Sequence, residues 1–158
     1  MKKKSFKFIL SFLVVSTLLL TQNWRICTRV VDGDTIILDG YERVRLLGVD
    51  TPETKHPNKP VQYFGKEAYE FTKRMTEGKK VRLEYDWQRK DKYGRTLAYV
   101  FLEDGTFLNA EIIKQGYGFA YTRYPFKYLE EFRKYEREAR ENKRGCGGGK
   151  IIENISYK

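Results

Sequence analysis

Arg45, Asp50 and Glu53 fall within nine positions, and Pro52 separates the two acids. Acids so placed can hold a hard cation and polarise a water, while a guanidinium can grip a phosphate through parallel hydrogen bonds. That is the minimum equipment for metal-assisted cleavage of a phosphodiester. Two further polar segments flank it, Val31-Asp32-Gly33-Asp34-Thr35 and Asp91-Lys92-Tyr93-Gly94-Arg95. Taken singly, each reads as a turn. The chain has one histidine, His56, and two distant cysteines, Cys27 and Cys146. No zinc-type ligand set can be assembled from these, and a histidine acid–base pair is excluded. Any cleavage chemistry here rests on carboxylates and arginines.

The elements that must position these groups can be read from periodicity. Arg25 to Val31 is a strand, broken at Asp32-Gly33-Asp34. Thr35 to Leu38 and Glu42 to Leu47 flank Asp39-Gly40, a strong hairpin signal. The segment from Asp50 to Pro60 holds three prolines and is expected to be irregular. Phe64, Ala68, Phe71 and Met75 predict a helix over Gln62 to Glu77, stopped by Gly78. Lys80 to Asp86 and Thr96 to Leu102 are two more strands, joined by the charged loop Gln88 to Arg95. A short helix near Leu108 to Gln115 ends at Gly116. A last one runs from about Phe126 to Asn142, with Glu130–Lys134 and Glu136–Arg140 expected as pairs one turn apart. Five strands with three helices so interspersed describe a small α+β barrel. The five-stranded oligonucleotide-binding (OB) barrel is the known solution with open loops for nucleic acid.

At 158 residues the chain has room for one domain and an end segment or two. Met1 to Asn23 reads as an export signal: four lysines, no acid, and an almost entirely apolar run from Phe8 to Leu20. Without it, 27 basic side chains still face 21 acidic ones. A basic body that keeps all 12 Tyr and 7 of the 10 Phe suits a polyanion whose bases can stack. Residues 1–23 are therefore expected to be a signal peptide or an uncleaved signal-anchor. Residues 24–144 would be the functional domain, and 145–158, opening on Gly145, Gly147, Gly148 and Gly149, a flexible tail. Export would carry Cys27 and Cys146 into an oxidising compartment, which leaves a bridge between the ends and two free thiols both open.

Taken together and in order, these motifs resemble the thermonuclease (staphylococcal nuclease) family. The resemblance rests on Asp32-Gly33-Asp34-Thr35, on Arg45-Leu46-Leu47, and on Val49-Asp50-Thr51-Pro52-Glu53-Thr54-Lys55-His56-Pro57. Asp91-Lys92-Tyr93-Gly94-Arg95 with Leu97-Ala98-Tyr99 completes it, so that it spans about Arg25 to Lys143. It implies an OB-barrel nuclease with one calcium ion, acting on DNA and RNA, single strands preferred. Products would carry a 3′-phosphate and a 5′-hydroxyl. On this likeness Asp34, Asp50 and the Thr51 carbonyl are the metal ligands, and Glu53 orients or deprotonates the attacking water. Arg45 and Arg95 clamp the scissile phosphate, Lys92 and Tyr93 contact the neighbouring 3′-phosphate, and Tyr121 walls the nucleotide pocket. The protein would be an exported monomer. The chain departs from the family pattern at Arg123, where a second pocket tyrosine is usual, and near Cys146, where a tryptophan is usual. The competing reading is a non-catalytic or membrane-tethered OB-fold nucleic-acid-binding protein. Such modules usually lose an acid or an arginine that this chain retains.

Overall fold

The computed structural model of the protein describes residues 23–54 and 62–148. Most of the stretch expected to be an export signal, the loop stretch with His56, and the expected tail from Gly149 onward lie outside the described residues. Among the described residues seven strands and three α-helices follow one another. They are β1 (Arg25–Asp32), β2 (Thr35–Leu38), β3 (Glu42–Leu46), β4 (Val49–Asp50), α1 (Gly65–Thr76), β5 (Lys80–Glu84), β6 (Thr96–Leu102), α2 (Leu108–Lys114), β7 (Phe119–Ala120) and α3 (Leu129–Glu141).

The barrel expected from the sequence forms. It closes in the order β1-β2-β3-β6-β5, with β5 returning to β1 through Arg25 opposite Val81. Only the β3–β6 pairing is parallel. Asp39 and Gly40 turn the β2–β3 hairpin with φ values of 50° and 83°, the paired positive angles that match strand twist. Val30, Ile36, Leu38, Val44, Leu46, Val81, Ala98 and Val100 fill the interior. α1 lays Ala68 and Phe71 against β1, while α2 packs on β6, α1 and α3. No described helix is long and apolar enough to cross a membrane.

Several boundaries differ from expectation for identifiable reasons. α1 begins at Gly65, because Phe64 takes a left-handed conformation (φ 65°) that stacks its ring on Tyr117 at 5.5 Å. α3 begins at Leu129, because Phe126 is held over Gly48, whose φ of 75° and missing side chain leave room for the ring. Glu130 pairs with Arg133 at 2.9 Å rather than with Lys134, which lies 3.8 Å from Glu138; Glu136 does pair with Arg140. Residues Gly145–Gly148 form a 3-10 turn, and the Cys146 amide donates to the Gly116 carbonyl at 2.9 Å. The packed body thus runs past the expected boundary at 144. Cys27 and Cys146 are both buried and no disulfide joins them: the bridge left open by the sequence is not made.

Two polar residues fasten the site loops to the barrel. Asn109, fully buried on α2, donates to the Leu47 carbonyl at 2.9 Å and accepts the Val100 amide at 2.9 Å. Asp86, just beyond β5, accepts the Tyr99 hydroxyl at 2.6 Å, the Lys127 amide at 2.7 Å and the Trp87 amide at 2.8 Å. Burial opposes the Asp86 charge. The bonds from Tyr99, Lys127 and Trp87, with the Lys127 charge, outweigh it and hold the carboxyl below the usual range. A carboxylate lowered in this way stabilises the fold above its unfolded pKa, and that stability is lost as pH falls through the folded value. Asp86→Asn is therefore expected to lose about 1–2 kcal/mol at neutral pH. In urea melts the gap to wild type should narrow once pH drops below about 4; a pH-independent gap would contradict the charge-based account.

Candidate active site

Arg45 lies on β3, and its guanidinium spans two carboxylates from different segments. Nη1 is 2.5 Å from Asp34 Oδ2, and Nη2 donates to Asp50 Oδ1 at 2.9 Å. Nη1 also donates to the Val49 carbonyl at 2.8 Å. Asp34 comes from the β1–β2 turn and Asp50 from the end of β4, so three stretches meet on one fork. Asp34 is further held by the Thr35 hydroxyl at 3.0 Å and the Thr51 amide at 3.1 Å. Burial pushes the Asp50 carboxyl above its ordinary value; Arg45 opposes this, and the charges of Asp34 and Asp32 add to it. Half of the Asp50 side chain still meets solvent, so this is the crowding of a cleft mouth and not of a core.

The loop bearing Glu53 is fixed on both sides of that residue. Thr51 hangs on Asp34. The Glu53 amide donates to Gln62 Oε1 at 2.9 Å, and the Thr54 hydroxyl donates to Asp32 Oδ1 at 2.9 Å. From below, the Thr72 hydroxyl on α1 donates to the Gly33 carbonyl at 2.6 Å. Gly33 has no room for a side chain, since a Cβ there would stand 2.6 Å from Thr51 Oγ1.

The second arginine has its own holder. Asp91 accepts Arg95 Nε at 2.6 Å and the Arg95 amide at 3.0 Å, and it receives the Tyr93 amide at 2.9 Å. Burial works against the Asp91 charge, but the Arg95 bonds and those amides prevail and keep it below the usual range. With Nε engaged, the terminal amino groups of Arg95 are the donors left for an anion.

Arg45, Asp50, Lys92, Tyr93, Arg95 and Tyr121, all singled out in the sequence, line one cavity of about 500 Å³. Asp34 and Thr51 join it through Arg45 and through each other. Glu53 does not line the cavity; it is exposed on the adjoining loop, two residues beyond Thr51. Arg123 and Tyr124 do line it, with the Tyr124 ring 6.3 Å from that of Tyr121 and the Arg123 guanidinium 5.9 Å from the Tyr124 ring. An arginine-backed tyrosine one step later thus stands near the expected second aromatic position.

The family model described as "Staphylococcal nuclease homologue" matches residues 43–146. The chain belongs to the staphylococcal nuclease family. It is 50% identical over 120 residues to the thermonuclease of Staphylococcus hyicus, covering 73% of this chain and 70% of that one. It is 60% identical over 91 residues to the thermonuclease of Staphylococcus intermedius, covering 56% and 54%. Endonuclease YncB of Bacillus subtilis (strain 168) is 45% identical over 121 residues, covering 73% of this chain and 57% of that protein.

Among the described residues no three or more His, Cys, Asp or Glu side chains gather as a ready-made metal set. Fit is decided by chemistry at the Arg45 fork. Two carboxylates already converge on a cation there, and beside them Thr51 Oγ1 is buried without a hydrogen-bond partner. The donors are all oxygen, which suits a hard divalent ion such as calcium and not zinc. The positioning roles of Gln62, Thr72, Asp91 and Asn109 escaped the sequence reading. Asp91 alone left a signal, as an acid four places before an arginine. Gly33→Ala should keep a cooperative thermal transition yet displace Thr51; were the fork to hold a divalent ion, a calorimetric titration with calcium should show binding weakened by about tenfold or more. Unchanged affinity would separate Thr51 from the cation site.

Proposed function

We propose that this nuclease of the staphylococcal nuclease family is exported and calcium-dependent. On this reading it hydrolyses both DNA and RNA with little sequence preference, favours single strands, acts as a monomer and leaves 3′-phosphate and 5′-hydroxyl ends. One observation carries the reading: Arg45 and Arg95 line the same cavity as Asp50, with Asp34 tied to Arg45. Export is supported by the lysine-led apolar stretch of residues 1–23. The single-strand preference is supported by the aromatic lining, which can receive an unstacked base.

Asp34, Asp50 and the Thr51 carbonyl would hold calcium, which when bound supplies positive charge to the phosphate oxygens and to water. Asp34, Asp50 and the Thr51 carbonyl are too few oxygens to satisfy calcium by themselves, so metal and substrate should strengthen each other's binding. Arg45 and Arg95 each offer a planar fork to the phosphate. As the phosphorus becomes five-coordinate, charge accumulates on its equatorial oxygens, where the two forks stabilise it. Glu53, on the loop fastened by Asp34, Asp32 and Gln62, receives the proton of the attacking water or holds that water in line. Lys92 and Tyr93 take the next phosphate, and Tyr121 stacks on the base. A non-cutting barrel would have little use for the complete set Asp34, Arg45, Asp50, Glu53 and Arg95.

The test is single-stranded DNA incubated with the purified protein, with calcium and with excess chelator. Cleavage is expected with calcium alone, giving fragments whose 5′ ends a polynucleotide kinase labels directly. Chelator-insensitive cleavage would refute the proposal. Arg95→Lys should lose about 10²–10³ in kcat with little change in Tm, because an ammonium cannot reproduce the fork. Near-normal turnover in that variant would remove Arg95 from the clamp.

A further inference from the structure

Eight large hydrophobic side chains are exposed among the described residues, and four of them, Trp87, Tyr93, Tyr121 and Tyr124, line the one cavity that holds the arginines. Tyr93 and Tyr121 already have roles in the proposed reaction. Trp87 has none, yet it is 68% exposed, an unfavourable state for an indole unless something covers it. It is also held in place. The indole Nε1 donates to the Pro125 carbonyl at 3.1 Å, and the Trp87 amide is bonded to Asp86. Asp86 in turn grips the Lys127 amide. These bonds staple the loop after β5 to the loop before α3, and they fix the ring at the cavity wall with most of its surface open. Arg123 and Tyr124 stand on the second loop beside it. A fixed, exposed ring among cations at the mouth of a phosphate-binding cleft has the chemistry of a base-stacking platform.

We propose that Trp87, backed by Tyr124 and Arg123, is a second stacking subsite. It takes a base of the single strand outside the nucleotide whose phosphate Arg45 and Arg95 hold. The inference rests on the nucleic-acid reading above and extends the site from one nucleotide to a short run of strand. Because it reads only the face of a base, it adds affinity for length and no preference for sequence. The groove's positive charge and the cleft already assigned to phosphate favour a strand over an apolar peptide as its occupant.

The test uses the full chain, a fluorescently labelled oligothymidylate of about eight nucleotides and a thymidine dinucleotide, in chelator so that no strand is cut. The octamer should quench the wild-type tryptophan emission, and Trp87→Phe should lose that quench while binding nearly as well by anisotropy. Trp87→Ala should weaken octamer binding by about fivefold or more, with a smaller loss on the dinucleotide. Tyr41→Ala, an exposed tyrosine outside the cavity lining, serves as the control and should bind as wild type. The platform is overturned if the wild type shows no quench or if Trp87→Ala binds the octamer normally. It is equally overturned if Trp87→Phe is as weak as Trp87→Ala, which would assign the effect to the Pro125 hydrogen bond. Calcium added afterwards separates the two readings. Binding and quench without cleavage would sink the nuclease and keep the platform, whereas cleavage indifferent to Trp87 would sink the platform alone.

Discussion

The contact on which the rest of the molecule turns is the Arg45 guanidinium lying between Asp34 and Asp50. Two carboxylates brought this close repel each other, and at the cleft mouth burial already disfavours the Asp50 charge. One guanidinium offsets part of that cost and leaves a surplus of negative charge. A divalent cation would reverse the sign of the surplus and make the same spot attractive to phosphate. On the proposed reading, electrostatics would therefore link metal, substrate and Arg45 in one balance.

The barrel exists, in functional terms, to keep that balance from relaxing. Asp34 and Arg45 are fixed by the β1–β2–β3 pairings, where Thr35 lies opposite Arg45. Asp50 is fixed by the short β4–β7 ladder, where it lies opposite Phe119. Asn109 ties the turn after β3 to β6, so the ends of these strands cannot drift apart. Asp91 pairs Arg95 through Nε and leaves its terminal amino groups to an anion, whereas both terminal nitrogens of Arg45 are engaged by Asp34, Asp50 and the Val49 carbonyl. Arg95 would thus be held ready for a phosphate, which lowers the ordering cost of binding, while Arg45 would exchange its carboxylates for the phosphate.

Much of this was legible from residues because it is local. Asp39-Gly40 announces its hairpin, since few other pairs adopt two positive φ angles. The Phe64–Met75 stripe announces α1 through its period. The charged motifs announce chemistry, because acids and arginines so close together need a partner. Convergence was not legible from periodicity, and it entered only through the family likeness. β4 and β7 are two residues each, too short to carry any pattern, and each exists only because the other lies across from it. Phe64 reads as helical by spacing, but its ring gains more by stacking on Tyr117. Glu130 has two cations within one turn, and spacing alone does not choose between them. Asn109 reads as an ordinary polar position on α2 until its buried bonds to Leu47 and Val100 are seen.

The decisive measurement is a crystal structure of the protein with calcium and a nucleoside 3′,5′-bisphosphate. The ion is expected between Asp34 and Asp50, with Arg45 turned from those carboxylates onto a phosphate that Arg95 also reaches. A phosphate bound elsewhere, while Arg45 keeps both acids, would contradict this arrangement.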